Sequence, residues 1–112
     1  MSKVINNGRD FHEIIKSEPG VFVLFYASWC PFSLAFLPVY EKRAQKCEQM
    51  LVRIELDGNE DIFERYSVEV YPTVIYFKHG EMSKRLDGKH LAGLKEKELV
   101  DLIAACGFHP GP

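Results

Sequence analysis

The chain carries one uninterrupted apolar run, Val21-Phe22-Val23-Leu24-Phe25-Tyr26-Ala27. It is rich in β-branched and aromatic residues and has no polar alternation. That pattern predicts a central strand buried on both faces, which implies parallel neighbours. Before it, Phe11, Ile14 and Ile15 share one face of a helix over about residues 9–17. Asn6 or Asn7 caps that helix and Glu18-Pro19-Gly20 breaks it. Val4-Ile5 reads as a short edge strand. After the apolar run, a helix starts near Cys30 with Pro31 in its first turn. Leu37, Tyr40, Ala44 and Cys47 recur at i, i+3, i+7 and i+10, which carries the helix to about Cys47. Pro38 lies inside it and is expected to kink it.

The second half alternates faster. Leu51 to Leu56 reads as a strand, Asp57-Gly58-Asn59 as a turn, and residues 60–66 as a short helix. Thr73 to Phe77 is a strand, and His79-Gly80 turns the chain into a partner strand over Met82 to Leu86. Leu99, Leu102, Ile103 and Cys106 mark a last amphipathic helix, stopped by Gly107. The order is β α β α β α β β α. It predicts an α/β fold: a mixed central sheet, parallel strands plus a C-terminal antiparallel hairpin, with helices on both faces.

A length of 112 residues allows one domain. We assign it to residues 1–107 and read 108–112 as a frayed, flexible tail. With 46% hydrophobic and 27% charged residues, the composition is that of a folded globular chain. A net charge of −2 argues against nucleic-acid and anionic-membrane partners, which need a basic field. The apolar run is too short to cross a bilayer, and the first residues show no secretory h-region. Three cysteines are too few for a disulfide scaffold. A reducing cytoplasm is the expected setting, with a monomeric protein in it. The four histidines are dispersed without metal-ligand spacing, so neither metal nor cofactor is expected.

The chemistry concentrates in Trp29-Cys30-Pro31-Phe32-Ser33. A buried strand ends and a cysteine opens the following helix. There the unpaired amides and the helix dipole favour negative charge. A thiolate is the nucleophile of disulfide exchange. Trp29 beside it limits solvent access and offers an apolar platform. Cys47 and Cys106 fit apolar helix faces and read as packing residues.

These residues, in this order, resemble the thioredoxin family along essentially the whole chain. Trp29-Cys30 and position 33 resemble its Trp-Cys-X-X-Cys site, and Pro38 its kink proline. Val70-Tyr71-Pro72-Thr73 looks like its cis-proline loop, Lys78-His79-Gly80-Glu81 like its Lys-Asn-Gly-Glu turn, and Gly88 like the glycine after its last strand. The resemblance implies a thioredoxin fold and exchange with protein disulfides through Cys30. It implies a Tyr71–Pro72 cis bond, with Tyr71 pairing to an extended substrate. Trp29, Pro31, Tyr71 and Pro72 would then form the substrate surface. Cysteine-containing proteins would be the partners, with a thioredoxin reductase or glutathione as electron source.

Three features depart from the pattern. Ser33 stands where the family has its resolving cysteine, and a hydroxyl cannot displace sulfur. Either the protein is a natural monothiol, or a dithiol parent has had that cysteine changed to serine; the sequence leaves both open. Leu24 stands where the family usually has a buried acid, so Arg53, at the position of that acid's lysine partner, is expected to lack one. Pro31-Phe32 replaces the commoner Gly-Pro. The leading reading is a thioredoxin-type oxidoreductase with Ser33 at its resolving position. The alternatives are a monothiol exchanger or isomerase, and a non-catalytic module that retains clients through Cys30.

Overall fold

A computed structural model describes residues 2–112. The elements are β1 (Lys3–Ile5), α1 (Gly8–Ser17), β2 (Gly20–Tyr26), α2 (Pro31–Lys46), β3 (Met50–Glu55), α3 (Glu60–Arg65), β4 (Thr73–Lys78), β5 (Glu81–Asp87) and α4 (Glu96–Ala105). The sheet runs β1-β3-β2-β4-β5. β1 and β2 pair with β3 in parallel, whereas β2–β4 and β4–β5 are antiparallel. The predicted order and the edge position of β1 hold. The expectation that β2 has only parallel neighbours does not: one of its two partners is antiparallel. Double-sided burial reports helices on both faces, not strand direction.

Alternation hidden inside the apolar run builds two cores. Val21, Val23 and Phe25 join Phe11, Ile15, Ile62, Phe63, Ile75 and Phe77, the layer that α1 and α3 cover. Phe22, Leu24 and Tyr26 join Phe36, Tyr40, Val74, Leu99 and Ile103, the layer that α2 and α4 cover. Each β2 side chain therefore buries into one layer or the other, which is why no polar residue interrupts the run.

Asn7 caps α1, its side chain accepting from the Asp10 amide at 2.9 Å. In α2 the fully covered stripe is Ser33, Phe36, Tyr40 and Arg43, and Leu37 and Ala44 are only partly covered. The spacing predicted is right and the face is rotated by about one residue. The helix continues through Pro38. Tyr40 is the anchor: its hydroxyl reaches the Val52 carbonyl at 2.7 Å and the Phe22 carbonyl at 3.1 Å. Complete burial pushes its phenol well above the usual range, with Glu41 adding to the effect, so it stays protonated. His79 and Gly80 both take positive φ, 53° and 83°, in the β4–β5 turn.

The last five residues, expected to fray, contact the body. Phe108 packs edge-on against Phe22 and Tyr76. The Arg43 guanidinium donates to the Pro110 carbonyl at 2.9 Å, and the Cys47 thiol lies 3.7 Å from the His109 carbonyl. The sequence hides this because the acceptors are main-chain groups, which any residue supplies. Among the described residues, no helix is long and apolar enough to cross a membrane.

Candidate active site

The site forms where β2 stops and α2 begins. The Cys30 amide donates to the Ala27 carbonyl at 3.0 Å, which closes the turn after the strand. Cys30 then caps α2 with extended backbone, its carbonyl accepting from the Leu34 amide at 3.0 Å and Pro31 following as the first helical residue. Its thiol therefore stands at the helix end where main-chain amides lack partners.

A second segment meets it from far along the chain. The Cys30 sulfur lies 3.8 Å from the Tyr71 carbonyl oxygen. The Tyr71–Pro72 bond is cis, and Pro72 is buried. Behind it the Thr73 hydroxyl donates to the Val70 carbonyl at 2.7 Å. The Tyr71 ring packs between Trp29, at 6.0 Å between centroids, and Phe63, at 5.8 Å. Burial, reinforced by the neighbouring thiol and Glu69, raises the Tyr71 phenol, so it is a neutral wall of the site. Trp29 remains 60% exposed while Cys30 is 9% exposed. The indole and Pro31 are thus open to an incoming chain around a mostly covered sulfur.

Ser33 lies one turn into α2, fully buried, and its hydroxyl oxygen accepts from the Ala27 amide at 3.2 Å. The structure thus brings Trp29, Cys30, Pro31, Ser33, Tyr71 and Pro72 to one end of the sheet. Leu24 is buried in the core under α2. Arg53, expected to be without an acid, has one: Glu41 of α2 lies 3.4 Å away, and the guanidinium sits over the Tyr26 ring at 5.7 Å. An acid nearly three turns along a neighbouring helix is invisible to a comparison of positions within strands. Glu41 also holds Ser2 through its amide and hydroxyl.

The other two thiols lie elsewhere. Cys47 caps the far end of α2 and is buried. Cys106 caps the end of α4, and burial pushes its thiol up, partly opposed by Lys84. All three cysteines are free.

The sequence marks Gly88 by resemblance alone; the structure supplies its physical reason. A Cβ there would collide with the Pro72 carbonyl oxygen, a main-chain atom with no easy retreat. Gly88→Ala is therefore expected to push the Tyr71–Pro72 segment away from Cys30. Overpacking of this kind costs about 1–3 kcal/mol. Thermal unfolding should shift down, and the rate at which Cys30 reacts with a peptide disulfide should fall with it. A variant matching the parent in both would mean that the loop has room to spare.

The Thioredoxin family description matches residues 2–105. Over 98 residues the chain is 30% identical to Thioredoxin-1 of Caenorhabditis elegans, covering 85% of each chain. It is also 30% identical over 94 residues to the probable protein disulfide-isomerase A4 of the same organism. That match covers 83% of this chain and 15% of the relative, so the chain spans a small part of that protein's length. In three dimensions it resembles the thioredoxin of Plasmodium falciparum with a TM-score of 0.83 at 23% identity, covering 92% of this chain and 97% of that one. At that identity the likeness carries the fold. The sheet order, the cysteine at the head of α2 and the family match over nearly the whole length agree, and the chain belongs to the thioredoxin family.

Proposed function

We propose that this chain performs thiol–disulfide exchange on protein disulfides through Cys30, with Ser33 occupying the resolving position. The observation that carries the reading is the placement of Cys30 at the head of α2, against the Tyr71 carbonyl. The Cys30 thiolate attacks one sulfur of a client disulfide. A Cys30–client S–S bond forms, the client S–S bond breaks, and the released client thiolate takes a proton from solvent. Tyr71 and Pro72 hold the client as an added strand, and Trp29 and Pro31 shape the surface beside it. No electrons enter or leave in this step. Release needs a second thiol, which Ser33 does not supply; glutathione, a client thiol, or the reductant of a dithiol parent would provide it. Three free cysteines fit a reducing compartment such as the cytoplasm.

A second reading rests on Ser33 itself. Its hydroxyl is buried and bonded to the Ala27 amide, so it completes the turn as a structural group. A mixed disulfide at Cys30 would then persist, and the chain would retain clients.

The test is adduct formation with a symmetric peptide disulfide, read by intact mass and peptide mapping. One adduct per chain is expected, on Cys30, removed by glutathione and absent in Cys30→Ala. Limiting iodoacetamide should likewise label Cys30 ahead of the other two thiols. Faster modification of Cys47 or Cys106 would overturn the reading.

A further inference from the structure

A cleft of about 540 Å³ opens at the end of the sheet away from Cys30. That volume is within the range of clefts that hold small molecules. β2 begins there with Gly20 and β4 ends there with Lys78, whereas Cys30 and Pro72 lie beyond the opposite ends of the same strands. The length of β2, about 20 Å, separates the cleft from the sulfur.

Tyr76 lines the cleft and is only 4% exposed, yet its hydroxyl has no hydrogen-bond partner among the described residues. Leaving a buried hydroxyl unpaired is costly, and buried polar groups are nearly always satisfied. The hydroxyl lies over Gly20, where a Cβ would collide with it. Any other residue at position 20 would displace the phenol. Burial, with the Cys106 thiol adding to the effect, raises the phenol, so it is a neutral donor.

Two cations flank this hydroxyl. Lys84 stands directly opposite Tyr76 in the β4–β5 pairing, and Lys78, two residues along β4, stands opposite Gly20. All three side chains rise from the same face of the sheet. Both lysines line the cleft, and neither enters an ion pair among the described residues. No Asp or Glu lines it, in a chain with 16 acids against 14 Lys and Arg. The Phe108 ring, 5.6 Å from the Tyr76 ring, adds an apolar wall. Lysines alone would be ordinary solvated charges. The unpaired buried phenol between them is what points to a ligand.

We propose that this cleft binds a small organic carboxylate, its anionic oxygens taken by the Tyr76 hydroxyl with Lys78 and Lys84, and its apolar body laid against Phe108. The carboxylate supplies the acceptor that the phenol lacks and the charge that the two lysines lack. The site is separate from Cys30 and does not depend on exchange there.

The experiment titrates the whole chain with 1-naphthylacetate and follows backbone amide shifts by NMR. Its neutral isostere, 1-naphthylacetamide, and plain acetate are titrated in parallel. Saturable shifts are expected at Gly20, Tyr76, Lys84 and Phe108, with naphthylacetate binding at least tenfold more tightly than either control. Tyr76→Phe should weaken naphthylacetate at least fivefold and leave naphthylacetamide within twofold. It should melt no lower than the parent, because the hydroxyl it removes bonds to nothing in the free protein. Lys84→Gln should weaken naphthylacetate at least threefold, whereas Lys42→Gln, the same loss of charge on α2, should not. Equal affinity for the acid and the amide, shifts centred elsewhere, or no saturation at millimolar naphthylacetate overturns the proposal. So does parental affinity in either Tyr76→Phe or Lys84→Gln.

Discussion

Ser33→Cys should give this chain catalytic turnover on insulin disulfides in the presence of a thioredoxin reductase system, at least tenfold above the parent. Residue 33 is one helical turn beyond Cys30 on the same face of α2, the spacing at which helical side chains meet. A sulfur there would attack the Cys30–client bond intramolecularly. Well-placed intramolecular groups act at effective molarities of up to roughly 10⁵–10⁸ M, far above any free thiol. The serine is fully buried, and cysteine is only slightly larger, so the fold should accept the change. What it loses is the bond from the Ala27 amide to the hydroxyl, which a thiol replaces weakly. Such a neutral bond contributes about 0.5–1.5 kcal/mol, a tolerable loss. The gain has a ceiling. Leu24, not an acid, occupies the core beneath the site, so no buried carboxylate there takes the proton of the resolving thiol. Turnover should therefore be real but modest. The same rates for parent and variant, with dithiothreitol and with the reductase system, would show that release does not pass through position 33.

Phe11→Ala should remove about 3–5 kcal/mol of stability, the range for deleting a large buried aromatic. Phe11 is fully buried at the centre of the layer under α1. Its ring meets Phe25 at 6.1 Å, Tyr66 at 5.7 Å and Phe77 at 5.5 Å, with the Phe25 and Phe77 pairs edge-to-face. Each such pair adds about 0.5–1.5 kcal/mol beyond burial. The partners come from β2, β4 and the end of α3, so the cavity cannot close by moving one element. For a domain of this size, the loss corresponds to a fall in melting temperature of roughly 12–20 °C. Phe11→Leu should cost distinctly less. A fall of under about 4 °C for the alanine would mean that the layer collapses around the gap.

Much of this architecture was legible in the chain because its signals are local. The β2 run, the Phe11-Ile14-Ile15 face, the His79-Gly80 turn and the Gly107 stop each depend on a few adjacent residues, and the structure agrees with them. The direction of β4 against β2 was not legible, because burial on both faces looks the same for either orientation. The rotation of the α2 stripe escaped because Ser33 and Arg43 are polar and were not counted as core, yet both are covered. Arg43 can be buried because its guanidinium bonds to main-chain carbonyls and lies 3.6 Å from Glu96. At the site, the Cys30 position was readable from strand end and helix start. The physical need for Gly88 was not, since a glycine's need for space depends on what folds against it.

The site also lies on a seam. Cys30 and Ser33 ride on α2, whose covered face belongs to one core layer, while Tyr71 packs against the other. The 3.8 Å spacing between sulfur and carbonyl is thus a gauge strung between layers on the two faces of one sheet. Softening either layer loosens it. A cavity under α1, remote from any reacting atom, should be felt at Cys30 as added play between thiol and loop. The exchange proposed at Cys30 would then fade on warming before the sheet itself gives way.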